Sequence, residues 1–180
     1  RYGKLANALF EASLEPADFL GKRISEAIDV CRDVLSEDDA EVLLARGLQL
    51  GQAIEKWSSR GIWVISRADT DYPKIFKRRL GALAPPLLYG CGNLELAKEH
   101  GLAVVGSRNI DQELMEETDH VARVAAMAGF SIVSGGARGI DATAMNGVLE
   151  AQGNCVGVLA NNLFRTVLEK NLREPLMESR

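Results

Sequence analysis

The second half of the chain alternates short apolar runs with longer amphipathic stretches. The runs are too short for helices and rich in β-branched residues, which predicts buried strands at residues 102–105, 130–133 and 155–160. The stretches between them, residues 112–128 and 140–151, repeat apolar positions at helical spacing and end near glycines, which predicts helices. The first helix is expected to turn five apolar residues toward the sheet: Leu114, Val121, Val124, Ala125 and Ala128. Right-handed crossovers then give an α/β fold with a Rossmann-like, parallel three-layer sheet.

The first 60 residues show a different pattern, typical of a small helical domain. Ser36 precedes three acidic residues, as at the start of a helix. Apolar residues then recur at helical spacing, at Ala40, Leu43, Leu44 and Leu48. A further helix is expected over residues 49–59. The sequence therefore predicts a helical domain over residues 1–60 and a Rossmann-like domain over residues 61–180.

The Rossmann-like part begins and ends less regularly than its centre. Strands are expected at residues 62–65 and 87–89, with a basic segment between them at residues 74–80. A helix is expected from residue 163 to about residue 172. Three aromatic residues are expected in the core: Trp57, Trp63 and Tyr89.

Composition narrows the classes of protein. The chain has 180 residues, of which 47% are hydrophobic, enough to bury a sizeable core. No apolar stretch approaches the roughly 20 residues of a membrane span, and the first residues lack the apolar core of a signal peptide, so we expect a cytoplasmic protein with no membrane contact. Three cysteines and two histidines at wide spacing predict neither a disulfide framework nor a metal site. The net charge of −4 argues against coating nucleic acid by bulk electrostatics, but it permits a local cationic patch.

Two glycine-containing loops follow neighbouring predicted strands. Because the carboxyl ends of parallel strands meet at one edge of a sheet, both loops should face one crevice. Glycine lets backbone N–H groups approach a ligand, and each loop adds one arginine, whose planar guanidinium matches phosphate oxygens. The predicted phosphate-binding residues are Gly106, Ser107 and Arg108 in the first loop and Ser134, Gly135, Gly136, Ala137, Arg138 and Gly139 in the second.

Some of these side chains have a second interpretation. Arg138 could pair with Asp141, but we favour ligand contact because Arg108 makes the other loop cationic too. Asp141 begins a predicted helix, so we interpret it as an anchor that accepts backbone N–H bonds and not as a catalytic base. Ser107 and Ser134 could donate to phosphate, and neither has a histidine at recognisable nucleophile spacing. We therefore expect no catalytic residue and no cofactor.

Four motifs together resemble the DNA-processing protein A family (DprA, also called Smf). They are Asp71-Tyr72-Pro73, the run from Pro85 to Asn93, Val104-Val105-Gly106-Ser107-Arg108, and the run from Val133 to Asp141. The resemblance covers roughly residues 60–165. Its Ser-Gly-x-Ala-Arg-Gly-Ile-Asp run is specific, whereas a lone glycine pair would be weak.

The resemblance implies a function as well as a fold. It implies an extended Rossmann-like domain that binds single-stranded DNA, forms a homodimer and, in naturally transforming bacteria, hands DNA to the RecA recombinase. No catalytic chemistry is established for the family. Asn161-Asn162-Leu163-Phe164-Arg165 departs from the family pattern, in which a glycine-containing loop is followed by Tyr-Pro. The family's later arginine-asparagine motif and final strands do not occur by residue 180, so either the sheet is small or the sequence is a fragment, incomplete at its C-terminus.

Functions of three classes remain open at this point. The preferred one is a single-stranded DNA-binding protein that acts in DNA processing, uptake or recombination by loading a recombinase. The alternatives are a nucleotide-binding sensor and a phosphoribohydrolase-like enzyme on the same fold. The phosphoribohydrolases carry a Pro-Gly-Gly-x-Gly-Thr-x-x-Glu run, which this sequence lacks.

Overall fold

The chain places helices first and strands afterwards. A computed structural model describes residues 2–20, 24–160 and 163–166. The α-helices of these ranges are α1 (Tyr2–Glu11), α2 (Ile24–Cys31), α3 (Glu37–Leu44), α4 (Gly47–Ser58), α5 (Lys74–Leu80), α6 (Gln112–Met127), α7 (Ile140–Glu150) and α8 (Leu163–Thr166). The strands are β1 (Ile62–Ser66), β2 (Leu87–Cys91), β3 (Gly101–Ala103), β4 (Ser131–Ser134) and β5 (Cys155–Gly157). Short 3-10 helices lie at Pro16–Leu20, Gly81–Leu83 and Leu94–Lys98.

The N-terminal helices enclose a small core of their own. It is formed by Leu9, Leu14, Phe19, Ala27 and Cys31. As expected, α3 begins after Ser36, whose hydroxyl accepts a hydrogen bond from the backbone N–H of Asp39 at 3.2 Å. The predicted continuation of this helix to Leu48 is wrong, because α3 ends at Leu44 and a new helix begins at Gly47.

Helix α4 packs on the antiparallel ribbon formed by β1 and β2. The ribbon pairs Val64 with Tyr89, and the ring of Tyr89 meets Trp57 of α4 edge-on, with 5.2 Å between ring centroids. On the neighbouring pair, Trp63 lies across Gly90, where an added Cβ would fall 2.0 Å from the indole ring. Gly90 is therefore needed for this crossing.

The three aromatic residues expected in the core are more exposed than predicted. Trp57 and Trp63 are only half-buried, and the indole N–H of Trp63 donates to the Gly92 carbonyl at 3.1 Å. Tyr89 leaves 50% of its surface exposed, so the expectation of a core residue is wrong for it. Tyr89 lies in the middle of β2. A two-stranded ribbon that is covered on one face by a single helix cannot enclose an aromatic ring there.

The basic segment between the ribbon strands folds as α5. It follows Tyr72, which is buried and donates its hydroxyl proton to the Pro85 carbonyl at 2.7 Å. Upstream, the Asp69 carboxylate accepts a hydrogen bond from the Ser66 backbone N–H, which lowers the pKa of Asp69. These contacts close the connection from β1 to β2 over a buried tyrosine. The Asp71-Tyr72-Pro73 motif thus has a structural role here.

The remaining strands form a parallel sheet in the order β3-β4-β5. Its register aligns Leu102 with Ile132 and Ile132 with Cys155. Helices α6 and α7 cross over between the strands, and both contact β4 and each other, so they lie on one face of the sheet. The core between them is formed by Ala122, Ala125, Ile132, Ala144 and Val148. The α/β fold with a parallel three-stranded sheet is therefore confirmed.

The bounds of α6 match the sequence signals closely. Asp111 caps the helix, since its carboxylate accepts a hydrogen bond from the Leu114 backbone N–H at 2.9 Å. The helix ends at Met127, and Gly129 adopts a φ of 79°, the left-handed conformation common after helix ends.

The predicted inward face of α6 is wrong in part. Thr118, Ala122 and Ala125 are buried, whereas four of the five residues expected to face the sheet are exposed: Leu114, Val121, Val124 and Ala128. The reason is a close crossing with α7, in which an added Cβ at Gly147 would lie 3.2 Å from that of Ala122. Small residues suit such an approach, so the helix turns its alanines inward.

An ionic link fastens the same crossing at the surface. Arg123 of α6 donates to Asp119 at 2.6 Å on its own helix and also to Glu150 of α7.

At the sheet, burial raises the pKa of the Cys155 thiol to about 11, so this cysteine is protonated at neutral pH. All three cysteines are free thiols.

The last described element of the chain is the short helix α8. Helix α8 contains the start of the helix expected over residues 163–172, and the rest of that prediction lies outside the described residues, as do Asn161 and Asn162. In the ranges given above, no helix is both long and apolar enough to cross a bilayer.

Ile132 offers a test of the core between sheet and helices. It is fully buried, so Ile132→Ala should lower the free energy of unfolding by about 2–5 kcal/mol, because it removes apolar contacts and leaves a cavity. Ile132→Val should cost only about 0.5–1.5 kcal/mol. Urea denaturation of both variants measures this, and equal losses in the two would contradict the packing described.

Candidate functional site

The two predicted loops lie side by side at the carboxyl edge of the parallel sheet. The first follows β3 and the second follows β4, and these strands are hydrogen-bonded neighbours. Pairing continues into the first loop, because the Val104 backbone N–H donates to the Val133 carbonyl at 3.0 Å. The arrangement is the one that parallel strands impose, and it brings all the predicted loop residues to one edge.

The loops also contact each other directly. The Ile140 backbone N–H donates to the Ser107 carbonyl at 3.1 Å. An added Cβ at Gly139 would lie 2.2 Å from that carbonyl oxygen, and one at Gly106 would lie 2.7 Å from Cγ1 of Ile140. Gly139 also adopts a φ of 85°. Glycine is therefore required at both positions so that the loops can touch, whatever ligand they bind.

Asp141 ties the loops together with its side chain. It lies in the first turn of α7, is buried, and accepts a hydrogen bond from the Gly106 backbone N–H through Oδ1 at 3.2 Å. It is thus an anchor, as the sequence indicated, but for the neighbouring loop and not for its own helix. No ion pair between Arg138 and Asp141 is present in the structure.

The two arginines of the loops are exposed. Neither Arg108 nor Arg138 forms an ion pair with a carboxylate of residues 2–20, 24–160 or 163–166. Exposed arginines without acidic partners keep their N–H donors available for an external anion. The loops thus present two free cations at one edge.

The second loop also presents its backbone. The N–H groups of residues 135–139 find no acceptor among the parts of the chain that the structure describes. Gly136 adopts a φ of 70°, and an added Cβ there would lie 2.8 Å from Leu159, which follows β5. Helix α7 begins directly after this segment, with no side chain capping its N-terminus. Successive free N–H groups before a helix favour an anion at this position.

Both serine hydroxyls of the loops have hydrogen-bond partners within the protein. The Ser134 hydroxyl is buried and donates to the Val104 carbonyl at 2.7 Å, so it joins β4 to the first loop and is not placed to donate to a ligand. Ser107 donates to the Asn109 carbonyl at 2.7 Å and accepts from the Asn109 N–H at 3.2 Å, which folds its loop into a turn. The Ser134 bond could not be predicted from a local pattern, because its partner lies 30 residues away in the sequence.

Comparison with known proteins places these features in a family. The family model described as DNA recombination-mediator protein A matches residues 63–178. Protein Smf from Synechocystis is 29% identical over 116 residues, which are 62% of this chain and 29% of that protein. The DNA processing protein DprA from Bacillus subtilis is 26% identical over 126 residues, or 69% of this chain and 42% of that protein. The chain thus spans less than half the length of these curated relatives.

A solved structure has the same fold. The X-ray structure of DNA processing protein A (DprA) from Streptococcus pneumoniae superposes with a TM-score of 0.61 at 24% sequence identity. The match covers 97% of this chain and 56% of that chain. At this identity the likeness concerns the fold.

The bond between the loops can be tested by removing its acceptor. Asp141→Ala leaves the Gly106 N–H without a partner, so it should lower the free energy of unfolding by about 1–3 kcal/mol. Asp141→Asn keeps an oxygen acceptor and should lose less. Chemical denaturation and amide exchange at Gly106 provide the measurements. Equal stability of the Ala variant and the native chain would show that this bond does not hold the loops.

Proposed function

We propose, since the chain belongs to the DNA recombination-mediator protein A family, that its paired loops bind the phosphates of single-stranded DNA. The proposal rests on two features that lie at the same edge of the sheet. They are the unpartnered arginines Arg108 and Arg138 and the free backbone N–H groups of residues 135–139. Cations and free N–H groups at one edge of a sheet are the donors that phosphate oxygens accept from.

The binding should be largely independent of base sequence. Guanidinium and backbone N–H groups contact phosphate oxygens, which are the same at every nucleotide, so these contacts position a strand without reading it. The protein has a net charge of −4, so the attraction must come from the local charge of the loops and not from the whole surface. Affinity should therefore depend steeply on these few residues.

We also propose binding without catalysis. The two side chains near the loops that most resemble catalytic groups are both engaged, Ser134 with the Val104 carbonyl and Asp141 with the Gly106 N–H. No group of His, Cys, Asp and Glu side chains within the described ranges is arranged to hold a metal ion. These features favour a DNA-handling role over hydrolysis.

The wider role follows from the family and is part of the same proposal. Membership suggests action in DNA processing and recombination, with a RecA-type recombinase as the protein partner and a homodimer as the working form. Such a role would be carried out in the cytoplasm, where the DNA and the recombinase meet. The proposed contact with DNA is the step that can be tested on this chain directly.

Replacing either arginine should weaken binding and leave the fold intact. Arg108→Ala or Arg138→Ala removes a charge-assisted hydrogen bond worth about 1.5–3 kcal/mol, so affinity for a fluorescent single-stranded oligonucleotide should fall about 10- to 150-fold. Fluorescence anisotropy gives the affinity. Arg32→Ala, which removes the same charge from the N-terminal helices, is the matched control and should bind normally.

Three outcomes would contradict the proposal. Unchanged affinity in both loop variants, with native thermal melting, would show that the DNA site lies elsewhere. Complete competition by a single nucleoside monophosphate at concentrations near that of the oligonucleotide would favour the nucleotide sensor instead. Release of free base from that nucleotide would favour the enzyme.

The salt dependence supplies a second test. Each phosphate neutralised on a single strand contributes a slope of about −0.7 in a plot of log affinity against log salt concentration. Each loop variant should therefore reduce the steepness of that plot by about 0.7, whereas Arg32→Ala should leave it unchanged. Anisotropy titrations between low and moderate salt measure the slope. A loop variant with the native slope would mean that its arginine does not contact phosphate.

A further inference from the structure

A second cluster of aromatic and cationic side chains lies outside the loops. It is formed where α4, β2 and α8 meet, and we call it the α4 patch. Its members are Lys56, Trp57, Arg60, Tyr89 and Phe164. The proposed function so far gives these residues no role.

The cations of the α4 patch are held in place but not neutralised. The Arg60 guanidinium carbon lies 4.0 Å from the centroid of the Phe164 ring, and the Lys56 Nζ lies 5.3 Å from it. Both side chains are exposed, and neither pairs with a carboxylate of the described ranges. A guanidinium that stacks by its face keeps the N–H donors around its edge free for a phosphate.

Tyr89 supplies an exposed ring that packs against the C-terminal end of α4. It meets Trp57 edge-on with an interplanar angle of 87°, yet half of its surface remains open to solvent. Trp57 directly follows Lys56 near the end of α4, and Arg60 lies two residues past the last residue of that helix, Ser58, so the ring and the charges belong to the same end of α4. Exposed rings bordered by cations are what single-stranded nucleic acid binds, by stacking of bases and pairing of phosphates.

The chain itself limits the distance from the α4 patch to the loops. Leu159 contacts the second loop at Gly136, and Phe164 lies five residues further along the chain. A fully extended chain advances at most about 3.6 Å per residue, so the backbones at these two points lie within about 18 Å. Binding sites for single strands commonly span roughly 4–16 nucleotides, which suffices to reach both places.

We propose that the α4 patch is a second contact for the same single strand of DNA, in which a base stacks on Tyr89 and phosphates pair with Lys56 and Arg60. The proposal rests on the proposed function. It adds a length requirement, because only an oligonucleotide that reaches from the loops to the α4 patch gains the second contact.

The test compares short and long oligonucleotides. With an oligothymidine of 20 nucleotides, Tyr89→Ala should weaken binding about 5- to 150-fold, the range found when one stacked base loses its aromatic partner. With a thymidine dinucleotide, which is too short to reach from the loops to the α4 patch, Tyr89→Ala should have little effect. Tyr89→Phe keeps the ring and should bind the long strand nearly as the native chain does.

The charges are tested independently of the ring. The double variant Lys56→Gln, Arg60→Gln changes only exposed side chains, so it decides the question even if Tyr89→Ala loses its fold. It should weaken binding of the long strand and reduce its salt slope by up to about 1.4, two phosphates at about 0.7 each. Arg46→Gln, at the other end of α4, is the matched control and should leave both unchanged.

Tryptophan fluorescence reports on the α4 patch directly. The chain has two tryptophans, and Trp63→Phe leaves Trp57 as the reporter beside Tyr89. The long strand should quench this signal, and the thymidine dinucleotide should not. Native affinity for the long strand in both the Tyr89→Ala and the double variant would overturn the inference while leaving the loop site standing. Failure of the native chain to bind either strand would instead overturn the proposed function.

Discussion

The contact between the two loops is the constraint on which the candidate site depends. Gly139 lies so close to the Ser107 carbonyl that no side chain fits between them, and Asp141 accepts a hydrogen bond from the Gly106 N–H. The two segments therefore act as one unit although about 30 residues separate them. Each segment carries one exposed arginine, so the unit presents two cations at the carboxyl edge of the sheet.

The position of this unit is set by helix packing below it. Asp141 belongs to α7, and α7 is held against α6 by the close approach of Gly147 to Ala122 and by the link from Arg123 to Glu150. The Ser134 hydroxyl joins β4 to the first loop by donating to the Val104 carbonyl. The geometry of the site thus depends on a small, well-packed core. Rigid elements beneath a binding loop reduce the entropy lost on binding.

Local signals predicted most of the elements, whereas contacts between elements escaped prediction. The apolar runs predicted the strands, Ser36 predicted the start of α3, and the glycines after helices predicted the ends of α6 and α7. Each of these signals depends only on neighbours in sequence. The buried face of α6 depends on Gly147 of another helix, and the role of Ser134 depends on a carbonyl 30 residues away. Tyr89 was expected inside because aromatic residues usually are, yet a ribbon covered by one helix leaves it half open.

The two unpartnered arginines have a consequence for the stability of the loops. Their loops touch through the backbone, since the Arg108 Cα lies 2.9 Å from where a Cβ of Gly139 would be, next to Arg138. Two like charges on touching segments repel each other, and neither arginine forms an ion pair with a carboxylate of the described ranges. An anion that both arginines contact would offset this repulsion and would therefore stabilise the folded loops. The folded state of such a site gains stability with ligand concentration, by RT ln(1 + [L]/Kd).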